Sequence, residues 1–450
     1  MKQFRKTLFP DRFLFPVLLL VAVFHCAALT YMAYQKTAFF LHDDGTEYLA
    51  LAESFAKTGT LTNPAERYYE APWSAPDAVR PEAFRSPFLP VSAGIFLFLA
   101  GGRIFGAAVF LALVHFVIML AIYHGGRYLG GIKCGWTALG LFLLHPMFRL
   151  FTLRFSSEGY FTMFLLLYFT AFFSLQGWKK YAFTGLAGGL AALTRGTAGA
   201  LLPAFAVYML LRYFFKGDSA FPAEEKRHCL RNYLIYAGVF LLCLAPDGIR
   251  SYVHFGKCNP VYFLGGYNFF VGNNRDNAMA YRAENGTDFL KHQAKGWDRA
   301  IATAKSLPAD MPPPEQNQRF MELTREEIHA MGAGEYLHMT MQKSWHFIRP
   351  WPLRGAHHEL VFFAVGIFES ILFLLGLLGM YFYIRRWDVL LFCWMIAGTG
   401  WAVHAIAHLQ MRHRIPFLDP VMILFAAVAL TKLYSLLRKK PLEFSAPDHT

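Results

Sequence analysis

The chain has 450 residues, of which 55% are hydrophobic, 17% aromatic and only 16% charged. Soluble globular domains carry about a quarter charged residues, so this composition excludes an ordinary soluble domain and indicates a polytopic membrane protein. The formal net charge of +13 does not indicate a nucleic-acid partner, because the basic residues lie mainly in short loops between apolar runs. The six cysteines form no CxxC pair and predict neither a disulfide framework nor a cysteine-bound metal.

The first apolar run, residues 13–34, is long enough to cross a bilayer, for which a helix needs about 20 residues. It follows a basic amino terminus and lacks a small-residue cleavage site, so we expect an uncleaved first span. The later apolar stretch 88–101 is too short to cross and is typical of a helix that lies at the membrane interface. Nine further spans are predicted at residues 104–124, 135–153, 159–177, 181–196, 197–215, 232–250, 359–384, 388–408 and 414–437.

The placement of Lys and Arg residues tests this count. If the amino terminus is cytoplasmic, every loop that then falls on the cytoplasmic side is basic, whereas a full span at 88–101 would invert the pattern. The sequence therefore predicts an all-α polytopic membrane protein of about ten spans with both termini in the cytoplasm. Three regions are expected: residues 1–250 with a first external loop at 35–103, a small external helical subdomain at 251–358, and C-terminal spans with a basic tail at 359–450.

Ionisable residues that are costly near hydrocarbon gather on the external side of this topology. Two carboxylates, Asp43 and Asp44, follow the first span, and Glu158 lies in the turn between spans three and four. Four arginines are predicted on the same side: Arg85, Arg195, Arg412 and Arg414. Each has a simpler explanation, because an acidic residue can end a helix and an arginine at a helix end can snorkel. Their joint occurrence favours chemistry.

Carboxylates and arginines on one rim suit a reaction between an acceptor hydroxyl and an anionic lipid donor. A hydroxyl that attacks the anomeric carbon of a sugar on a polyprenyl phosphate needs a base, which an Asp or Glu at a low-dielectric boundary can supply. The departing phosphate needs cations, and the guanidinium fork of Arg fits its oxygens. The sequence contains no nucleotide-binding fingerprint, which agrees with a lipid-linked donor.

Three weaker candidates lie in the second half of the chain. His404 and His408 share a helix face near the outer end of span nine, where they either line an acceptor cleft or pack between helices. The segment 265–274 is rich in Gly and Asn and is predicted to be a loop, in which the amide of Asn268 can bind a sugar hydroxyl. His357 and His358 are adjacent in an extended loop and point apart, so no metal site is predicted there.

Several segments resemble the GT-C glycosyltransferases, in particular the bacterial protein O-mannosyltransferase-like and aminoarabinose transferase-like enzymes. The segment 44–52 is similar to their first external loop, in which an Asp is followed four residues on by an aromatic residue, here Tyr48. Glu158 takes the place of their second external acidic residue, and segments 85–90, 185–195 and 412–416 also resemble theirs. The resemblance covers roughly residues 1–215 and 400–437. Gly45 departs from it, because many relatives carry Glu there.

The resemblance implies a GT-C-like bundle that transfers a sugar, with inversion, from a polyprenyl phosphate to a lipid, glycan or protein at the periplasmic face of a bacterial inner membrane. It makes Asp44 the candidate base, with Asp43 substituting for the missing second carboxylate, and Tyr48 a substrate contact. Glu158 would orient the acceptor, hold the sugar or bind a divalent cation such as Mg²⁺ or Mn²⁺. The implied contacts to the donor phosphate are Arg85, Arg195, Arg412 and Arg414.

Two other functions stay open at this point. A ligase or polymerase of polyprenyl-linked glycans would depend on the Arg and His residues of the late external loop rather than on Asp44. A transporter or lipid flippase would place its charges near mid-membrane along the bundle axis, whereas most candidates here fall at one rim.

Overall fold

The computed structural model describes residues 11–35, 40–41, 44–63, 80–214, 223–283, 286–308, 310–354 and 359–438. Up to residue 255 the helices are α1 (Leu14–Tyr34), α2 (Gly45–Thr58), α3 (Phe88–Leu99), α4 (Phe105–Leu144), α5 (Pro146–Thr152), α6 (Ser157–Ser174), α7 (Gly177–Thr194), α8 (Leu201–Phe214), α9 (Ala223–Arg227) and α10 (Cys229–Phe255). The remaining helices are α11 (Gly265–Asn273), α12 (Arg275–Ala280), α13 (Gly286–Ser306), α14 (Pro313–Met331), α15 (Ala333–Ile348), α16 (Glu359–Phe382), α17 (Trp387–Ile406), α18 (Arg414–Phe417) and α19 (Asp419–Leu437). Two short 3-10 helices, Gly196–Ala200 and Met411–His413, and an antiparallel pair of two-residue strands, β1 (Thr62–Asn63) and β2 (Arg80–Pro81), complete the described elements.

Seven of the described helices are long and apolar enough to cross a membrane: α1, α4, the stretch Gly196–Phe214, α10, α16, α17 and α19. α4 has 40 residues, more than one span needs, and its backbone is non-helical at Gly130 and Gly131. The chain turns back there, because a Cβ at Gly135 would lie 2.8 Å from the carbonyl oxygen of Tyr123. The φ of +79° at Gly131 suits a residue without a Cβ. The second arm of α4 and the 18-residue helices α6 and α7 lie at the three remaining predicted spans, 135–153, 159–177 and 181–196. The all-helical multi-pass architecture predicted from the sequence is confirmed.

Aromatic side chains interlock the helices at the centre of the bundle. The rings of Phe172 on α6 and Phe392 on α17 stack with their centroids 4.5 Å apart, and the hydroxyl of Tyr168 donates to that of Tyr236 at 3.2 Å. At Gly185 a Cβ would lie 2.4 Å from the carbonyl oxygen of Tyr236, so α7 approaches the backbone of α10 directly. This packing fixes the ends of α6 and α7, from which two side chains of the candidate site project.

The first two short helices after α1 pack against one another. α3 is the short apolar helix predicted at 88–101, and it is twelve residues long. A Cβ at Gly94 would lie 2.8 Å from the carbonyl oxygen of Ala52, so α3 touches the backbone of α2. The hydroxyls of Ser92 and Tyr160, 2.8 Å apart, then join α3 to α6. α2 is therefore held next to the start of α6.

Between α10 and α16 the described residues form five helices, α11 to α15, around two apolar clusters. The prediction of a loop at residues 265–274 is wrong, because Gly265–Asn273 forms the helix α11. Its glycines serve close packing rather than turns: a Cβ at Gly266 would lie 2.2 Å from the carbonyl oxygen of Asn317 on α14. The rings of Phe270 and Phe320 pack beside this contact, with centroids 5.6 Å apart.

Candidate active site

The start of α2 presents polar side chains on one face. Asp44 is the N-cap residue, but its side chain makes no capping bond. Instead Oδ1 accepts a hydrogen bond from Nη2 of Arg85 at 3.0 Å, and Oδ2 accepts one from Nη2 of Arg412 at 3.3 Å. Three and four residues further on, Glu47 and Tyr48 lie on the same helix face. Glu47 accepts from Nε of Arg85, whose guanidinium carbon lies 5.7 Å from the centroid of the Tyr48 ring.

Gly45, at which the resemblance to GT-C enzymes predicts Glu, has no room for a side chain. A Cβ there would lie 2.7 Å from the carbonyl oxygen of Phe155, in the chain just before α6. The structure instead places Glu47 as the second carboxylate beside Asp44. Sequence reasoning missed Glu47, although its spacing of three residues from Asp44 on a helix is a usable signal. Asp43, the predicted substitute, lies outside the described residues.

A third carboxylate enters from the start of α6. Glu158 is buried, with 1% of its surface exposed. Its Oε1 accepts a hydrogen bond from Nη1 of Arg195 at 2.9 Å and lies 3.5 Å from Nε of Arg412. Arg195 is the C-cap residue of α7, and the same Nη1 also donates to Oγ of Ser157 at 3.1 Å. Its guanidinium therefore bonds to the start of α6 in addition to any role at the helix end.

The three arginines and three carboxylates together form what we call the arginine–carboxylate cluster: Asp44, Glu47, Glu158, Arg85, Arg195 and Arg412. Arg412 is its central member because it contacts two carboxylates from different helices, Asp44 and Glu158. Its Nε also donates to Oε1 of Gln410 at 2.6 Å. Formal charges in the cluster balance, so the site presents paired charges to an incoming ligand.

The surroundings shift the pKa values of Asp44 and Glu47 in opposite directions. Burial raises the pKa of Asp44, but the charges of the three arginines, that of Arg85 first, outweigh it and hold the pKa well below its usual range. For Glu47 burial outweighs the attraction of Arg85, so its pKa is raised. Burial also raises the pKa of Tyr48 to about 12, in spite of the nearby Arg85. Asp44 is thus ionised at neutral pH, and Tyr48 offers a neutral hydroxyl.

Three buried histidines, which we call the histidine wall (His404, His408 and His413), lie beside the cluster. The His404 and His413 rings stack with centroids 4.0 Å apart, and Nδ1 of His404 lies 3.1 Å from the carbonyl oxygen of His408. The rings of Trp297 and His408 form a T-shaped pair, with centroids 5.3 Å apart. Within the described part of the chain, both ring nitrogens of His408 and Nε2 of His404 lack a hydrogen-bond partner. Sequence reasoning named His404 and His408 but missed His413, which directly follows Arg412 and stacks on His404.

Arg414, predicted as a phosphate contact, lies in a different cluster. Its Nη2 pairs with Oε2 of Glu369 at 2.9 Å, its Nε with Oδ1 of Asp419 at 2.8 Å, and its Nη1 donates to the carbonyl oxygen of Arg349 at 2.7 Å. All three charged side chains are buried. A phosphate would have to displace two buried carboxylates to reach this guanidinium. We therefore assign Arg414 to the interior of the bundle and not to the arginine–carboxylate cluster.

His145 completes this second cluster and makes it the one group of three potential metal ligands among the residues that the structure describes. Its Nε2 lies 3.3 Å from Oε1 of Glu369 and 3.9 Å from Oδ2 of Asp419. However, Nδ1 of His145 accepts the backbone N–H of Phe148 at 3.4 Å, so a neutral ring carries its proton on Nε2. A metal on Nε2 would leave a proton on Nδ1 facing another donor. The group therefore fits a hydrogen-bonded ion cluster better than a metal centre.

Asn268 lies half-buried on α11, and its backbone N–H bonds to the carbonyl oxygen of Leu264 at 3.0 Å. Among the described residues no hydrogen bond joins its side chain to the arginine–carboxylate cluster. The structure thus brings together Asp44, Tyr48, Glu158 and three of the four predicted arginines, with the histidines alongside. His357 and His358 lie outside the described residues.

The chain is similar to known proteins in part of its sequence and in its fold. The family model of dolichyl-phosphate-mannose-protein mannosyltransferases matches residues 84–246, just over a third of the chain. No curated protein matches the sequence. The archaeal oligosaccharyltransferase AglB from Archaeoglobus fulgidus, in complex with an inhibitory peptide and a dolichol-phosphate, is 13% identical over 95% of this chain and 52% of its own, with a TM-score of 0.52. The same enzyme tethered to an acceptor peptide gives 13% identity, 94% and 50% coverage and a TM-score of 0.53.

ArnT from Cupriavidus metallidurans bound to undecaprenyl phosphate is 14% identical over 93% of this chain and 78% of its own. Its TM-score of 0.41 is too low to support an argument about the fold. The similarity to AglB shows the fold of the chain and confirms the GT-C-like bundle that the resemblance implied. The chain spans about half the length of the AglB chains that it matches.

Proposed function

We propose that the chain is a membrane glycosyltransferase that moves a sugar from a polyprenyl phosphate to a lipid, glycan or protein acceptor at the periplasmic face of a bacterial inner membrane. The observation that carries the proposal is Arg412, which joins the carboxylates of Asp44 and Glu158 at the meeting point of three segments of the chain. AglB, which has the same fold, is an oligosaccharyltransferase whose structure contains a dolichol-phosphate. The matched family model describes transfer from a dolichyl-phosphate sugar to protein. Both support a lipid-phosphate donor.

In the proposed reaction the acceptor oxygen attacks the anomeric carbon, and the bond from that carbon to the phosphate oxygen breaks. The electron pair leaves with the lipid phosphate, and a single displacement inverts the anomeric centre. The proton of the attacking hydroxyl passes to the carboxylate of Asp44. Arg85, Arg195 and Arg412 stabilise the charge that develops on the phosphate, because their guanidinium groups are held in place before the donor arrives.

The arginines make the base strength of Asp44 depend on whether the donor phosphate is bound. With two guanidinium groups bonded to its oxygens Asp44 is ionised but weakly basic. A phosphate that enters the cluster competes for the same N–H groups and adds negative charge, so it raises the pKa of Asp44. Base strength thus increases when the donor is bound, which couples proton transfer to occupancy of the phosphate site.

Glu158 is proposed to hold and orient the sugar or the acceptor through its buried carboxylate. A divalent cation, Mg²⁺ or Mn²⁺, would take oxygen ligands, and a structure of AglB is described with Zn. In this chain the oxygens of Asp44 and Oε1 of Glu158 already lie within bonding distance of guanidinium groups, so a cation would have to displace Arg412. We therefore expect transfer to persist after treatment with EDTA, and an absolute requirement for added Mn²⁺ or Mg²⁺ would overturn this expectation.

The test is sugar transfer in proteoliposomes supplied with undecaprenyl-phosphate-linked sugars and extracted envelope acceptors. Asp44→Asn keeps the size of the side chain and removes the base, so transfer should fall by about 100- to 10,000-fold. Glu158→Gln should also lose transfer, because it leaves Arg195 without its carboxylate and Arg412 with that of Asp44 alone. Asp288→Asn, on the exposed face of α13, is the matched control and should keep wild-type transfer.

Three results would overturn the proposal. Full transfer by the Asp44→Asn variant would show that Asp44 is not the base. Movement of the lipid-linked sugar across the bilayer without bond cleavage would favour a transporter. Transfer of whole glycan chains that depends on His404 and His408, but not on Asp44, would favour a ligase.

A further inference from the structure

The helix α15 carries a lysine that is completely buried, with 0% of its surface exposed. Nζ of Lys343 donates to Oδ1 of Asn273 and to the carbonyl oxygen of Ala407, both at 2.9 Å. Within the described residues no carboxylate forms an ion pair with it. Burial lowers the pKa of Lys343 to about 7. Lysine is almost never fully buried without a partner charge, so its position here calls for a reason.

The bonds of Lys343 meet at the end of α17. Nδ2 of Asn273 donates to the carbonyl oxygens of Ile406 at 3.1 Å and Ala407 at 3.3 Å. A Cβ at Gly272 would lie 2.1 Å from the carbonyl oxygen of Ala407, so α11 also touches this turn directly. The last carbonyls of a helix lack partners within the helix and interact favourably with positive charge. We call this arrangement the Lys343–Asn273 clamp.

The clamp lies five residues before Arg412 in the chain. The short segment 407–413 contains His408 and ends in the 3-10 helix Met411–His413, whose Arg412 contacts Asp44 and Glu158. A displacement of Ala407 would therefore move the guanidinium of Arg412. Errors of about 1 Å at a reacting site can reduce rates on the order of 100-fold.

We propose that Lys343 is a positioning residue that acts through Arg412: by holding the Ala407 carbonyl it fixes the segment 407–413 and places the guanidinium between the two carboxylates. It thereby ties α11 and α15, from the region between α10 and α16, to the arginine–carboxylate cluster. The effect on donor binding rests on the proposed function of Arg412, whereas the effect on the segment 407–413 does not.

The experiment compares Lys343→Met with the wild type and with Lys295→Met, a matched change at an exposed position on α13. Met has nearly the length of Lys without its donors, so the buried volume stays filled. Hydrogen–deuterium exchange of residues 407–413 should increase in Lys343→Met and stay unchanged in the control. The Kd for undecaprenyl phosphate should rise by about tenfold to 100-fold, as expected for a misplaced contact. If Lys343→Met does not fold, Lys343→Gln, whose amide NH2 group can still donate, replaces it.

A double variant separates positioning from general stability. If Lys343 acts through Arg412, Lys343→Met in an Arg412→Gln background should weaken binding of undecaprenyl phosphate no further than Arg412→Gln alone. Additive losses, or unchanged exchange of residues 407–413 in Lys343→Met, would overturn the inference. A wild-type protein that binds undecaprenyl phosphate but transfers no sugar would contradict the proposed function and leave the clamp standing.

Discussion

Arg412 and Asp44 are 368 positions apart in the chain, yet Nη2 of the first lies 3.3 Å from Oδ2 of the second. The contact joins the loop after the first span to the loop before the last one. Because Arg412 also lies 3.5 Å from Glu158, one guanidinium links the ends of three segments. A single phosphate that binds at Arg412 would therefore change the electrostatic environment of both carboxylates.

The first prediction concerns this guanidinium. Arg412→Gln removes the bridge and a cation from the proposed phosphate site, so kcat/KM for sugar transfer should fall by roughly 100- to 1,000-fold. Arg412→Lys keeps the charge but not the fork that spans two carboxylates, so it should recover only part of the loss. Both are measured in proteoliposomes with Arg354→Gln, an exposed arginine, as control. Equal rates for Arg412→Gln and the control would contradict the role of the bridge.

The second prediction concerns pH. The pKa of Asp44 is depressed, so the stability that it contributes is present above its unfolded pKa of about 3.9 and is lost as pH falls through the lower folded value. In the donor-free enzyme Asp44 stays ionised throughout the neutral range. The acid limb of kcat, which reports the complex, should therefore lie at higher pH than that of kcat/KM, which reports the free enzyme.

Two variants test whether the acid limbs of kcat and kcat/KM report the ionisation of Asp44. Arg412→Gln removes a charge that lowers the pKa of Asp44, so it should move the limb of kcat/KM to higher pH. Glu47→Gln removes the other carboxyl group on α2, whose pKa is raised, and the difference between the two limbs should persist in it. Coincident limbs for kcat and kcat/KM in Glu47→Gln would contradict donor-dependent activation of Asp44.

Much of the arginine–carboxylate cluster was predictable, because membrane topology restricts which residues can meet. Asp44, Glu158 and Arg195 each stand at the end of an apolar run, and counting spans places such ends on one side of the bilayer. The same reasoning gave the short helix α3 from its length. It could not separate Arg412 from Arg414, because both open the last span and differ only in the direction of the side chain.

The residues that sequence reasoning missed depend on tertiary packing. In the sequence Lys343 resembles the other polar residues of an amphipathic helix. Its burial depends on the approach of α11 to the Ala407 carbonyl. The glycines of α11 suggested a loop, since Gly is common in turns as well as at close helix contacts. Such contacts form between distant segments, and no local pattern records them.

The third prediction concerns the interior cluster around Arg414. Two buried carboxylates, Glu369 and Asp419, share this guanidinium, so Arg414→Met leaves both without their cation and should destabilise the fold by about 3–5 kcal/mol. Glu369→Gln leaves one carboxylate for one guanidinium and should cost much less. Thermal unfolding in detergent measures both. At temperatures where Arg414→Met is still folded, its Kd for undecaprenyl phosphate should equal that of the wild type, and a tenfold rise would return Arg414 to the phosphate site.

The last prediction concerns Gly45, which precedes the face of α2 that carries Glu47 and Tyr48. A Cβ at this position would lie 2.7 Å from a backbone oxygen, that of Phe155, which cannot rotate away as a side chain can. Gly45→Ala must therefore move the start of α2 and Asp44 with it. Overpacking of this kind costs about 1–3 kcal/mol, and we expect sugar transfer to fall at least tenfold, in line with the sensitivity of reacting groups to small displacements.

A matched glycine supplies the control for this prediction. Gly140 lies in the second arm of α4 with open space around its Cβ position, so Gly140→Ala should stabilise the protein by about 0.5–1 kcal/mol through helix propensity and leave transfer unchanged. Both variants are compared by thermal unfolding and by transfer in proteoliposomes. If Gly45→Ala behaves like Gly140→Ala in both measurements, the contact with Phe155 does not position Asp44. The absence of a second carboxylate at residue 45 would then need another explanation than lack of space.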